Sequence, residues 1–481
     1  MENKNKAVMT ALQLRGNIMI RKMDAIKEQG KELSTTQVIM LSFLAAILVG
    51  TFLLMLPICS SDGIYTPFLT AFFTATTSVC VTGLVVVDTF AYWSTVGHVV
   101  ILFLIQIGGL GVVTLSTYIL MLLGQKIGLK QRILLEDALN LDTMSGLIKF
   151  IKKVFGGTLC IEGVGALFYM FAFVPEMGVK GIWVSVFHAV SAFCNAGIDI
   201  LGPVSLINYV GNPIVNFTTM ALIIMGGIGF IVWWDIIKVL KEYRTGEIHR
   251  RYIWHKLRLH SKIVLYTTMG LILVGFAVIL LLEWNNPETL GNLSIPVKLQ
   301  AALFQSVTLR TAGFATISQK GLYNSTAFIC LLFMFIGGSP VGTAGGIKTT
   351  TAATLFVAVW STIKGRDYTS VFRRKLNPAI VRKALSVALI SMLAALIALI
   401  LMLTFCNGDF MDLTYEVFSA IGTVGLTRNV TAGLNTVGRI IIIICMYLGR
   451  TGPISLVIAL NNISHKNKGA IEFPEENITV G

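Results

Sequence analysis

Charge is scarce in this sequence. Of its 481 residues only 13% are charged, 55% are hydrophobic, and the mean hydropathy is +0.77. A soluble domain carries about 25% charged residues, so this composition excludes a soluble enzyme and describes a polytopic membrane protein. Metal-binding patterns are also lacking. The seven cysteines include no CxxC and no Cys/His ligand spacing, and they are expected as reduced core residues. Histidines 249, 255 and 260 are spaced by six and five, which does not place them on one helical face. The stretch Gly342 to Thr349 fails as a phosphate loop, because Ile347 stands where GxxxxGK[ST] needs glycine. No nucleophile–base set is present. The opening residues, Met1 to Ser34, lack the charged, apolar and small-residue order of a signal peptide, and are expected to stay on the chain in the cytoplasm.

What the sequence does hold is one short device, four times over. The copies read TSVCVTGL (Thr77 to Leu84), SAFCNAGI (Ser191 to Ile198), SVTLRTAGF (Ser306 to Phe314) and SAIGTVGL (Ser419 to Leu426). Each follows an apolar stretch of roughly 10–13 residues, half the ~20 needed to cross a bilayer as a helix. Their glycines, Gly83, Gly197, Gly313 and Gly425, are separated by 114, 116 and 112 residues. Four re-entrant loops at one period predict four-fold pseudosymmetry about an axis. Glycine loops of this kind build potassium filters, in which backbone carbonyls replace the water shell of the ion. The expected potassium-binding residues are Val81, Thr82 and Gly83; Asn195, Ala196 and Gly197; Thr311, Ala312 and Gly313; and Thr423, Val424 and Gly425. The positions three before each glycine are Cys80, Cys194, Arg310 and Gly422. Side chains so unlike one another favour coordination by the backbone.

Eight segments are long enough to span, at about 38–58, 93–123, 152–175, 212–238, 261–283, 325–362, 379–405 and 436–462. The predicted fold is all-α: four repeats of membrane helix, short pore helix and membrane helix, hence eight transmembrane helices and four re-entrant loops. The repeats are expected at 37–150, 151–259, 260–378 and 379–463, flanked by an N-terminal segment, 1–36, and a tail, 464–481. Thirty of the 38 Lys and Arg lie in the N-terminus, in 124–153, 238–262 and 364–383, and in the C-terminus. The positive-inside rule places these, with both termini, in the cytoplasm and turns the filters outward. The +14 formal charge is therefore a topology signal dispersed over five places, and it gives no reason to expect nucleic acid. Asp62, Asp88, Asp199, Glu283, Glu288, Asp409, Asp412 and Glu416 fall on the filter side, where they would enrich cations or simply be solvated.

The second membrane helix of each repeat carries glycine: Gly108-Gly109, Gly226-Gly227, Gly337-Gly338 and Gly449. The first two pairs are expected to serve close packing within continuous helices. The third copy reads GGSPVGTAGGIKTTT and should break its helix in mid-membrane, which is tolerated only where protein or water surrounds the backbone. The expected gate comprises Gly337, Gly338, Ser339, Gly342, Thr343, Gly345, Gly346, Lys348 and, holding the loop in place, Arg450. Arg450 stands in the apolar run of the fourth copy, where a charge is costly and functional. Its expected partners are carbonyls and hydroxyls of 337–351.

These four loops, the broken third helix and Arg450 resemble the Trk/Ktr/HKT superfamily of potassium transporters over residues 36–481, and within it the membrane subunits of bacterial Ktr systems. The resemblance implies gated potassium uptake at the bacterial cell membrane, with no enzymatic activity in this chain. It implies a homodimer in which each protomer has its own pore, seated on a cytoplasmic KtrA-like ring that binds ATP or ADP. It also assigns the gate to Gly337 to Thr349. A serine at the first filter glycine goes with sodium transport in the plant branch, so Gly83 favours potassium. No loop here carries a complete TVGYG.

Overall fold

The computed structural model describes residues 34–123, 128, 133–135 and 146–452. Most of the expected N-terminal segment, the tail, and 453–462 of the eighth expected span lie outside the described residues. The chain is mostly helical. Its main helices are α1 (Thr35–Met55), α2 (Phe68–Val79), α3 (Thr95–Leu110), α4 (Val112–Leu122), α5 (Leu147–Met177), α6 (Val179–Phe193), α7 (Pro213–Gly227) and α8 (Phe230–Arg244). They continue as α9 (Leu259–Glu283), α10 (Ile295–Thr308), α11 (Asn324–Phe335), α12 (Thr349–Ile363), α13 (Pro378–Phe405), α14 (Phe410–Gly422) and α15 (Thr436–Thr451).

Local signals set several boundaries. Ser34 and Gln37 form a reciprocal capping box at α1. Asn212 and Asn377 cap α7 and α13, each with proline at the first helical position. Asp409 accepts from the Met411 N–H to open α14.

Four helices among the described residues, α1, α5, α9 and α13, are long and apolar enough to cross a membrane. Each packs against the short helix that follows it: α1 on α2, α5 on α6, α9 on α10 and α13 on α14. The helix after each short one then touches the next short helix. These contacts are α3 with α6, α7 with α10, α11 with α14 and, closing the circuit, α15 with α2.

Two expected continuous spans are corrected. The stretch 93–123 is α3 and α4, bent by 102°, and 212–238 is α7 and α8, bent by 96°. The corners are Gly111 (φ 85°, ψ 130°) and Gly229 (φ 88°, ψ 142°), in a backbone region where a Cβ would be strained. Gly452 ends α15 in the same conformation, φ 85° and ψ 126°. The close approach expected of the first two glycine pairs is present: Gly108 lies against the Val79 carbonyl and Gly226 against that of Phe193, with no room for a side chain. Gly449, outside that expectation, lies in the same way against the Ile421 carbonyl. The third expected break is present: α11 and α12 are separated by residues 336–348.

Candidate functional site

The four short helices converge on four turns of one conformation. Two residues before each glycine the backbone is left-handed: Val81 (φ 54°), Asn195 (φ 59°), Thr311 (φ 63°) and Thr423 (φ 51°). The glycines follow at φ 100°, 65°, 83° and 94°. Left-handed backbone costs an L-residue about 1–2 kcal/mol, and three of these residues are β-branched. Strain of this kind clusters where geometry serves function.

Each short helix holds its turn through a hydroxyl and carbonyl near its end. The Thr77, Ser191 and Ser419 carbonyls accept the N–H groups of Thr82, Ala196 and Val424 at 2.8–2.9 Å. The Thr77 and Ser419 hydroxyls accept from Gly83 and Gly425 at 3.0 and 3.1 Å. In the third turn Thr308 does this work with one residue fewer: its carbonyl accepts from Ala312 at 3.0 Å. The Ser191 and Thr308 hydroxyls donate instead to the Ile198 and Phe314 carbonyls at 2.6 Å.

The glycines close a ring. A Cβ on Gly83 would lie 2.6 Å from the Ala196 carbonyl oxygen; on Gly197, 2.6 Å from that of Ala312; on Gly313, 2.7 Å from that of Val424. Gly425 abuts the Thr82 carbonyl in the same way, which completes the order. All four glycines therefore present their bare faces to one axis, and only glycine fits there. The Thr82, Thr311 and Thr423 hydroxyls are buried beside the ring without a hydrogen-bond partner. Such oxygens are costly to leave unpaired and fit a ligand that accepts electron density, as a monovalent cation does. All twelve of the expected ion-binding residues lie in these four turns.

On one side, the ring opens into a cavity of about 640 Å³ that all four glycines line, together with Asp88, Asp199, Thr427 and Asn429. Burial pushes the Asp199 carboxyl up to about 6, opposed by hydrogen bonds from Ser205 and the Leu201 N–H, and Asp88 adds to the rise. Not all the acids expected here face this space. Glu283, Asp412 and Glu416 are buried and internally bonded, so their reading as mouth charges is corrected. Glu283 accepts from Asn286 and Thr289 at 2.6 Å. Asp412 pairs with Arg428 at 2.8 Å and with Lys320.

On the other side lies the segment 336–348. It is tied to itself by Gly337 N–H to the Ile347 carbonyl (2.8 Å) and by Ser339 Oγ to Thr349 Oγ1 (2.7 Å). It docks on the α7–α8 corner: Ser339 and Thr343 donate to the Gly227 and Gly226 carbonyls at 2.8 and 3.2 Å, and Phe230 donates to that of Val341 at 2.9 Å. Gly342 sits against Gly226 and Gly229. Thr343 Oγ1 reaches the Phe193 carbonyl at the end of α6, at 3.0 Å. Gly337 lies against Thr311, Gly345 against Thr423, and Gly346 and Gly338 against the Gly422 and Gly227 carbonyls. The segment thus touches the residues that open the third and fourth turns.

Arg450 binds this segment as expected and more besides. Its guanidinium donates to the Thr343 carbonyl and also to the carbonyls of Gly108 and, at 3.3 Å, Gly109 in α3. Lys348 remains inside the segment, with Nζ donating to the Ala344 carbonyl at 2.7 Å. Sequence reading missed Glu162 of α5, buried behind the second turn beside Gln106 (3.4 Å) and Cys194 (3.9 Å). Its position in an apolar run was the available signal. Cys160, on the same helix, is exposed, whereas the other six cysteines are buried as expected.

With this geometry in place, comparison identifies the class. A family model described as TrkH, cation transport protein, matches residues 6–468. The chain belongs to this family, whose members are membrane transporters. It is 39% identical to the Ktr system potassium uptake protein B of Bacillus subtilis over 446 residues, which cover 92% of this chain and 96% of that protein. It is 38% identical to the potassium/sodium uptake protein NtpJ of Enterococcus hirae, covering 95% and 99%. The crystal structure of the potassium transporter TrkH from Vibrio parahaemolyticus shares the fold, with a TM-score of 0.66 at 20% identity over 90% of this chain and 86% of that one.

Proposed function

We propose that this chain is the potassium-conducting membrane subunit of a Ktr-type uptake system. The observation that carries the reading is the closed glycine ring: each of four turns presents a carbonyl to the glycine of its neighbour, in cyclic order. On this reading the twelve residues of the turns form a selectivity filter. Carbonyl and threonine oxygens take the place of the potassium hydration shell. The chain is then four repeats, at 37–150, 151–259, 260–378 and 379–463, with eight membrane crossings, four re-entrant loops and four-fold pseudosymmetry. The contacts that run around the circuit and close through α15 and α2 support it.

Transport is passive. Each potassium ion gains about 2.3 kcal/mol per 100 mV of inside-negative potential, so this chain needs no catalytic site. The segment 336–348 is the gate, placed on the side of the ring opposite the cavity. It sits in the bacterial cell membrane with both termini cytoplasmic, as the Lys and Arg distribution supports. A homodimer on a cytoplasmic KtrA-like ring, which holds ATP or ADP, is the expected assembly. The names of the Bacillus subtilis relatives, potassium uptake proteins B and D of Ktr systems, support a multi-component machine.

A second reading, in which sodium is also cargo, draws on the potassium/sodium uptake name of the Enterococcus relative. One experiment separates the two. Purified chain in liposomes, with a potassium diffusion potential imposed, is assayed for rubidium and sodium uptake. Rubidium uptake blocked by external potassium but not by equal sodium supports potassium selectivity. Equal competition supports the second reading, and no uptake of either ion, with or without a co-reconstituted regulatory ring, overturns both.

A further inference from the structure

Each short helix carries a buried polar side chain three residues before its anchor at the turn: Thr74, His188, Gln305 and Glu416. The four do different things. Thr74 Oγ1 donates to the Thr70 carbonyl at 2.9 Å and His188 Nδ1 meets that of Val184 at 2.9 Å, both within their own helices. Gln305 and Glu416 reach out of the helix to the segment that leaves the turn. Gln305 exchanges hydrogen bonds of 2.7 and 3.0 Å with Gln319, six residues past Gly313. One Glu416 oxygen accepts from Thr427 at 2.6 Å, and the other accepts from Thr431, six residues past Gly425.

Glu416 is completely buried, and among the described residues no Lys or Arg forms an ion pair with it. A buried carboxylate is expensive unless its oxygens are hydrogen-bonded. Here both are used, and both bind the exit of the fourth turn. Two hydrogen bonds from one side chain, at Thr427 and Thr431, tie the exit of the fourth turn to α14 as a strut. The Thr423 to Gly425 backbone runs between Ser419 on the helix side and Thr427 on the strut side. Both ends of the turn are therefore fixed to α14. The third turn is tied to the same helix, because Tyr415 Oη donates to Gln319 at 2.9 Å.

We propose that Glu416 is a positioning residue for ion discrimination: its carboxylate holds the fourth turn at the spacing that suits potassium. The proposal rests on the reading of the glycine turns as a filter. Potassium and sodium differ in radius by a few tenths of an ångström, and a site is specific only when its ligands are held to about 0.5 Å or better. A turn freed at its exit can close around the smaller ion.

The test measures sodium uptake relative to rubidium in liposomes for the full chain and five variants. Glu416→Leu removes the strut. Thr427→Val and Thr431→Val each remove one hydroxyl with little change of volume. Glu416→Gln keeps an acceptor and a donor for the two hydroxyls. Glu283→Gln changes an equally buried acid whose partners, Asn286, Thr289 and the Tyr323 N–H, belong to no glycine turn. Glu416→Leu should raise relative sodium uptake about tenfold, and each threonine variant about threefold, the scale of one or two lost hydrogen bonds. Glu416→Gln should recover most of the discrimination, and Glu283→Gln should lower thermal stability while leaving the ratio unchanged. If Glu416→Leu does not fold, the threonine pair decides. An unchanged ratio in both threonine variants, or an equal change in Glu283→Gln, overturns the strut. Gly425→Ala is run alongside: if it alters the ratio while the strut variants do not, the filter stands and the strut falls. If Gly425→Ala also leaves the ratio untouched, the filter reading itself has failed.

Discussion

Arg450, in the last turn of α15, donates through Nη1 to the backbone carbonyl of Thr343. Thr343 in turn donates through its hydroxyl to the Phe193 carbonyl at the end of α6. Nη2 of the same arginine binds Gly108 and Gly109 in α3. One guanidinium thus pins the interrupting segment to α15 and to the end of α3, and Thr343 carries the connection on to the end of α6. Its charge has no acidic partner in an ion pair among the described residues. It is neutralised by carbonyl dipoles that would otherwise be left open at the helix ends.

If that pin holds the segment under the ring, removing it should let ions through. Arg450→Ala, or deletion of residues 341–346, should raise rubidium uptake without the regulatory ring by about tenfold, corresponding to about 1.4 kcal/mol taken from the closed state. Liposome flux of protein that elutes as an intact assembly measures this. Uptake no higher than that of the unaltered chain would make the segment a structural plug with no gating role.

The glycine ring makes a steric prediction. A Cβ at Gly83 would lie 2.6 Å from the Ala196 oxygen, closer than real Cβ contacts, so Gly83→Ala must displace the second turn. Sodium exclusion should weaken by about tenfold or more, and equivalent changes at Gly197, Gly313 and Gly425 should do the same. Competition of sodium against rubidium uptake reads it out. Different outcomes at the four positions would show that the turns are not functionally equivalent.

The cavity outside the ring predicts a pH dependence. Burial, with Asp88 nearby, pushes the Asp199 carboxyl up to about 6. The group is therefore mostly neutral at pH 5 and mostly charged at pH 7. A raised value means that charge is lost as pH falls through 6, so attraction for cations falls with it. The potassium concentration for half-maximal uptake should rise about twofold from pH 7 to pH 5. Asp199→Asn should give the weaker affinity at both pH values and remove the inflection. An inflection that survives in Asp199→Asn would assign it to another group.

The proposed orientation is open to labelling. In a cysteine-free background, a cysteine at Tyr65, in the connection between α1 and α2, should react with an impermeant maleimide added outside intact cells. A cysteine at Arg250 should react only after permeabilisation. The reverse pattern would invert the assignment of the cavity to the outer face.

Legibility in the sequence follows from physics that acts on single residues. The four turns were readable because only glycine tolerates a carbonyl oxygen within 2.7 Å of where a Cβ would stand, and because that demand recurs about every 114 residues. The third break was readable because Ser339, Pro340 and five glycines dilute an apolar run. The corners at Gly111 and Gly229 were not. Each is one glycine in an apolar run already rich in glycine, and a positive φ leaves no mark on composition. Arg450 announced itself by cost, but its bonds to Gly108 and Gly109 required knowing that α3 ends beside α15. Glu283, Asp412 and Glu416 looked like mouth acids because sequence gives topology, not burial. Their partners, such as Thr427 and Thr431 for Glu416, are ordinary loop residues until the turn brings them round.

The third turn reaches its glycine with one residue fewer than the other three, from Thr308 rather than from a position matching Thr77, Ser191 or Ser419. In an assembly of four identical chains such a shortening would have to occur in every quadrant at once. Here a single polypeptide supplies the whole circuit, and each quadrant is free to change alone. The inheritance of defects changes accordingly. One codon alters one quarter of the ring in every molecule translated from that allele, and never produces the binomial mixture of partly altered rings that separate chains would form. Cells carrying both a normal and a defective allele should contain two kinds of ring only, in proportion to their expression.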